Sequence, residues 1–415
     1  MSPPVPFKIA VPEEKLRRLR QKLLLTEWPD EVPLKEPRSR GAPLQEVKGL
    51  VDHWLHSFDW RAVESRLNEL PQFTTDIEVD GFGTYNVHFI HQKSSVPNAI
   101  PLIFLHGWPG SFIEVTKILP ELVQGGRDFP AFHVVAPSLI DYGFSQGNLK
   151  EGFGLAQHAE AYHKLMQSLG YSEYVSQGGD IGNFLTRFLA LQYPGSCKAQ
   201  HTNMPTPNAP DANNPKHAEV IAAIEAAGGL SDKDQKRLAM TQEHQASGMG
   251  YAIEHMTRPQ TIGYSLADSP VGQLAWIYEK LVDWTAGYAW TADEVLTWVS
   301  IYRFSRAGPD APQRIYYEMV HLDANSSTPT PVTELAAQYI DVPLGTSRFQ
   351  KDVLSLPKVW DATMGPVVFQ AEHDVGGHFA AWECPRELVS DLRRMFAREG
   401  PLYGCVDGQT GFQAG

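Results

Sequence analysis

Cysteine is scarce in this 415-residue chain: Cys197, Cys384 and Cys405 are the three, with no paired spacing. So sparse and odd a count argues against a disulfide framework and fits a reducing compartment. Positive charge is short as well. Thirty-five Lys and Arg stand against 48 Asp and Glu, a formal net charge of −13, and the basic residues nowhere gather into a stripe. A nucleic-acid partner is therefore not expected. No apolar run approaches the roughly 18 residues needed to span a bilayer. The N-terminal "MSPPVPFKIAVPEEKLRRLRQ" lacks an apolar stretch followed by a cleavage site, so no signal peptide or membrane anchor is expected. Repeats and low-complexity tracts are missing too. The expectation is a soluble cytoplasmic protein, long enough for a main domain with substantial insertions.

What is present has a clear order. "EEKLRRLRQKLL" places Leu16, Leu19 and Leu23 on one face of a charged helix, a stripe that needs a surface to cover. Pro29, Pro33, Pro37 and Pro43 then rule out continuous helix. Helical periodicity returns in "LVDHWLHSFDWRAVESRLNEL", and "FTTDIEVDGFGTYNVHFIHQ" alternates around Asp80-Gly81 as a β-hairpin does. Beyond it, "IPLIFLHGWPGS", "FHVVAPSLIDYGFS" and "YSEYVSQGGD" are short apolar runs, each ending in a loop rich in Gly or Pro. Strands of that kind alternating with helices predict an α/β fold with a parallel sheet, whose ligands bind beyond the C-terminal strand ends. From about residue 201, "HTNMPTPNAPDANNP" marks a boundary. A helical stretch holding Trp276, Trp284, Trp290 and Trp298 runs on to "HLDANSSTPTP". Strand pattern resumes in "PVVFQAEHDVGGHF" and closes on the helix "PRELVSDLRRMFARE".

"SQGGDIGNF" has the form of a nucleophile elbow, the tight strand-to-helix turn that lifts one side chain out of a sheet. Gly178 and Gly182 flank Asp180, where Ser or Cys is usual. In such sites the histidine comes last in the chain, and "EHDVGGHF" supplies His378 after the final strand, as a general base. His373 lacks that context and reads as structural. A metal pair of His373 and His378 would have no third ligand, so no metal is expected there. "FLHGWPGS" occupies the place of the loop that donates one oxyanion-hole N–H, and Ile181, after the nucleophile, would donate the other.

An aspartate in the elbow restricts the chemistry. Attack on an ester or amide would give an anhydride-like intermediate no easier to resolve than the substrate. Displacement at a saturated carbon gives an alkyl ester that water, activated by histidine, can hydrolyse. Epoxides and alkyl halides are the realistic substrates. A halide needs N–H donors; an epoxide oxygen needs an acid still protonated at neutral pH, which suits tyrosine. Tyr251, Tyr264, Tyr278, Tyr288, Tyr302, Tyr316 and Tyr317 all lie in the helical stretch, and position alone does not choose among them.

Over nearly its whole length the chain resembles the microsomal-type epoxide hydrolases, in particular members without a membrane anchor. The matching stretches are "PFKIAVPEEKLRRLRQKL", "TEWPDE", "FLHGWPGS", "GGDIG", "GYAIEHMTRPQTIGYSLADSPVGQLAWIYEK", "QRIYYE", "FQKDV" and "GGHFAAWE". The resemblance implies an α/β-hydrolase fold: residues 1–75 as a segment wrapping core and cap, 76–205 and 326–415 as the two parts of the core, 206–325 as a helical cap. It implies Asp180 as nucleophile, His378 as base and Asp352 as the acid orienting it, a choice the residues alone leave open among Asp341, Asp352, Asp361, Glu372 and Asp374. Tyr251 and Tyr316 become the ring-opening acids, with Tyr317 the neighbour to be distinguished. Trp108 becomes an oxyanion-hole residue preceding a cis Trp108–Pro109 bond. A bulky apolar or aryl epoxide and water are the expected partners, no metal or organic cofactor is implied, and a homodimer is compatible with the family. The competing readings are a haloalkane-dehalogenase-like hydrolase, indifferent to the tyrosines, and a non-catalytic small-molecule receptor on the same scaffold.

Overall fold

The computed structural model describes residues 3–321 and 332–413. Among them nine strands form one sheet. They are β1 (Val5–Pro6), β2 (Gln72–Val79), β3 (Gly83–Gln92), β4 (Ile100–Leu105), β5 (Phe132–Pro137), β6 (Tyr174–Gly178), β7 (Cys197–Thr202), β8 (Leu344–Arg348) and β9 (Val367–Glu372). The spatial order is β1-β2-β3-β5-β4-β6-β7-β8-β9. The β1–β2, β2–β3 and β3–β5 pairs are antiparallel and the remainder parallel. β4 is buried at every residue, as a strand covered on both faces must be, and this is why it reads as an unbroken apolar run. The expected hairpin joins β2 to β3 through Asp80–Phe82, with Gly81 at φ +77° supplying the left-handed turn residue.

Register decides where the chemistry can sit. Leu105, the last residue of β4, pairs with Gly178, the last of β6. The loops that follow, "HGWPGS" and "GDI", therefore leave the sheet side by side at its C-terminal edge.

The leucine-striped helix spans Glu13–Leu24 and buries Leu19 and Leu23, with Leu16 half-buried. These three leucines face Trp54 and Trp60 of the next two helices. The Lys22–Asp268 ion pair and the His53–Asp293 contact at 2.8 Å tie the segment to helices far along the chain. As the prolines require, residues 26–43 contain no helix. Between β7 and β8 the chain is helical, from Ala218–Ala226 through Arg314–Val320 to Val332–Ala337. Its expected far edge, 321–331, and the division at 325 lie outside the described residues from 322 on. Among the described residues no helix is long and apolar enough to cross a membrane.

Candidate active site

Asp180 stands between β6 and the helix Ile181–Gln192 with φ 53° and ψ −128°. A non-glycine residue held there costs on the order of 1–3 kcal/mol, which the surroundings must over-determine. Two glycines make the turn feasible. A Cβ at Gly178 would overlap the Gly182 carbonyl, and a Cβ at Gly182 would overlap the carbonyl of Leu105. Helix and strand touch there backbone to backbone.

The Trp108 N–H donates to Asp180 Oδ1 at 2.8 Å. Its loop is fixed from behind: Trp298 Nε1 donates to the Pro109 carbonyl, and the Tyr302 hydroxyl donates to the Gly110 carbonyl at 2.6 Å. The Trp108–Pro109 peptide is cis. Ile181 is the first residue of its helix, so its N–H has no acceptor four residues back and is open to a ligand.

On the other flank, His378 Nε2 lies 3.5 Å from Asp180 Oδ2, and its Nδ1–H donates to Asp352 Oδ1 at 2.7 Å. The histidine loop is anchored by the His378 N–H on the Trp284 carbonyl at 3.0 Å. The Glu383 carboxylate accepts from the N–H groups of Phe379 and Ala286 at 3.0 and 3.1 Å. Burial opposes a charge on His378, but the carboxylates of Asp352 and Asp180 outweigh it and raise its pKa to about 10. Of the five acids left open by the sequence, Asp352 reaches His378. Asp361 instead pairs with Arg348, Glu372 with Lys233 and Arg237, and Asp341 and Asp374 are exposed. His373 Nε2 meets Asp391 Oδ2 at 2.6 Å.

Tyr251, on Gly250–Thr257, and Tyr316, on Arg314–Val320, meet edge to face with ring centroids 6.3 Å apart. Trp108 stacks on Tyr251 at 5.0 Å and meets Tyr316 edge-on at 6.2 Å. One residue thus contacts both phenols and, through its N–H, the aspartate. Burial raises both phenol pKa values, and the Asp180 charge raises them further. The other tyrosines are committed elsewhere. Tyr317 stacks on His321 at 4.0 Å, Tyr278 donates to Glu46, Tyr288 donates to Glu294, and Tyr264 is exposed.

Several residues of the site carried no signal in the sequence. Trp284 packs on His378 at 4.9 Å and on Tyr251 at 5.1 Å. His255 is buried against Trp108 at 4.8 Å and accepts from Trp276 Nε1 at 3.2 Å. Its spacing of four from Tyr251 puts the two on one helix face, the one cue that could have found it. Buried Lys280 lies 5.0 Å from the Tyr251 ring, and Glu114 shares a cavity with Asp180 and His378.

Comparison with known proteins supplies the wider frame. Residues 4–115 match the model of the epoxide hydrolase N terminus, and residues 100–261 that of the alpha/beta hydrolase fold. A putative epoxide hydrolase of Stigmatella aurantiaca is 38% identical over 94% of this chain and 84% of its own. Epoxide hydrolase 1 of Sus scrofa is 31% identical over 94% of this chain and 87% of its own. The solved epoxide hydrolase of Aspergillus niger superposes with a TM-score of 0.78 at 36% identity, covering 94% of this chain and 95% of that one. Fold, elbow and relatives agree: the chain belongs to the epoxide hydrolase family, on the α/β-hydrolase fold.

Proposed function

We propose that the enzyme converts an epoxide and water to a vicinal diol through an ester on Asp180. Asp180 attacks a ring carbon from behind, and the C–O bond to the oxirane oxygen breaks. The Tyr251 and Tyr316 hydroxyls hold that oxygen and give it a proton, for which phenols kept neutral by burial are suited. The observation that carries this is the convergence on Trp108, whose ring touches both phenols and whose N–H holds the carboxylate.

Proton accounting supports two steps. Between two carboxylates, His378 starts protonated. As Asp180 becomes a neutral ester, the reason for that proton weakens. It replaces the one the tyrosines have given away, and His378 is left as a neutral base. Water then adds to the ester carbonyl carbon, losing a proton to His378, with the N–H groups of Trp108 and Ile181 around the oxyanion. Collapse expels the diol oxygen, which takes up the remaining proton, and restores the Asp180 carboxylate beside protonated His378. Residues 206–325 serve as a cap presenting the tyrosines, 1–75 as the strap over it, and the aromatic lining favours bulky apolar or aryl epoxides.

The test is diol and halide release from a panel of epoxides and haloalkanes. Asp180→Ala should abolish diol formation. Tyr251→Phe/Tyr316→Phe should cut it by about 10²–10⁴-fold. Halide release surviving loss of both tyrosines would make the enzyme a dehalogenase instead.

A further inference from the structure

The loop "HGWPGS" makes room for two carboxyl groups rather than one. A Cβ at Gly107 would overlap the Asp180 carboxylate, and a Cβ at Gly110 would overlap the carboxyl of Glu114. Glu114 stands on a short 3-10 helix, Phe112–Lys117, immediately after that loop. Ser111 caps that helix through its Oγ, which accepts from the Ile113 N–H at 3.4 Å, while the Ser111 N–H faces the Glu114 carboxyl. Glu114, Asp180, His378 and Asn203, with Gly107, Gly110 and Gly179, line a small cavity between elbow and loop. Its volume, about 10 Å³, leaves room for one water. The remaining walls are apolar, from Phe104, Leu105, Trp108, Phe379 and Ala380, but Glu114, Asp180, His378 and Asn203 offer the two to four partners that hold a water in place.

The protonation of Glu114 fits such a seat. Burial pushes its carboxyl up to about 8; the Asp180 charge adds to this, while His378 and the Ser111 N–H oppose it. A neutral carboxyl offers a carbonyl acceptor without adding a second anion beside Asp180.

We propose that Glu114 positions the hydrolytic water, seating it in this cavity together with His378 Nε2. The inference rests on the two-step reading above. Water oxygen bonds to the ester carbonyl carbon and one O–H bond breaks, its proton going to His378 Nε2. The other O–H is held by the Glu114 carbonyl oxygen, and Glu114 neither gains nor loses a proton overall. A residue in this role acts on the second step and leaves the first almost untouched.

Single-turnover kinetics with styrene oxide, followed by tryptophan fluorescence and by intact mass of the quenched protein, separate the steps. In Glu114→Ala, ester formation should stay within about threefold of wild type. Ester hydrolysis should slow by about 10- to 100-fold, so that a substrate adduct accumulates on Asp180. Glu114→Leu, which fills the same space without polar atoms, should behave alike and guards against a folding defect, checked by thermal melting. Glu114→Gln keeps a carbonyl acceptor and should recover most of the hydrolysis rate. Equal slowing of both steps, or wild-type hydrolysis in a folded Glu114→Leu, would overturn the proposal. A wild type that turns over epoxide without ever carrying an adduct on Asp180 would instead overturn the two-step reading.

Discussion

At Gly182 the absence of a side chain lets a helix rest on the Leu105 carbonyl, and at Gly107 it lets a carboxylate stand against a loop. Single atoms of space thus set the distance from Asp180 to the Trp108 N–H, 2.8 Å. Charge is set at the same scale. His378 has its pKa raised to about 10, against burial, by Asp352 and Asp180. In the proposed mechanism esterification of Asp180 removes one of those two charges, and the pKa must then fall. The two half-reactions should therefore answer oppositely to alkali. Ring opening, which begins with protonated His378, should be flat through neutrality and decline as pH rises through about 10. Ester hydrolysis, which needs neutral His378, should rise with pH and reach its plateau below that value. Stopped-flow single turnovers across the pH range measure both constants. A common midpoint for the two would show that Asp180's charge does not govern His378.

At the scale of elements, β8 shows how a polar segment can be core. All five residues of "LGTSR" are buried. Arg348 at its end forms an ion pair with Asp361, whose carboxylate also accepts from Thr346 and Gln370, both at 2.8 Å. Asp361→Ala would leave a guanidinium buried without its partner, so a loss of about 3–5 kcal/mol is expected. Urea unfolding measures it, and Arg348→Met/Asp361→Leu should regain much of the loss. A small cost for the single change would mean that water reaches Arg348. The same chemistry hid β8, and β7 with its Gln200, His201 and Thr202, from a search for apolar runs, whereas "IPLIFL" announced β4. Asp180 and His378 were legible because their neighbours in sequence, the flanking glycines and the preceding strand, are their structural cause. Asp352 was not legible from the residues alone, and family resemblance supplied it. What separates it from four other acids is the partner each one meets, and those partners are distant in the chain. Tyr251 and Tyr316 stood in the same position among seven tyrosines. Glu114 passed unnoticed because the groups it meets, Asp180 and His378, are distant in the chain.

For the whole molecule, the question is what holds the helices between β7 and β8 against the sheet, since the role proposed for Tyr251 beside Asp180 requires them docked. One fastening is polar and lies at the end of β9. Glu372 meets Lys233 at 2.7 Å and Arg237 at 3.4 Å, both on the helix Asp232–Ser247, and Lys358 at 3.6 Å. On the same helix, Thr241 donates to the Ser355 carbonyl at 2.7 Å. That helix leads directly into Gly250–Thr257, which bears Tyr251. Burial alone would raise the Glu372 pKa, but Lys233 and Arg237 outweigh it and hold it down at about 2, below the ordinary 4.5. A pKa depressed in the folded state means stability that is present above the unfolded value and lost as pH falls toward the folded one. Glu372→Gln should therefore be less stable than wild type by about 1 kcal/mol near neutral pH, the group being partly solvated. The gap should close progressively between about pH 4.5 and 2, where wild-type Glu372 itself takes up a proton. Melting curves of both proteins at a series of pH values give the difference directly. A gap that stays constant into acid would assign the effect to packing rather than charge, and the docking of these helices would then rest on the Thr241–Ser355 contact and the N-terminal segment.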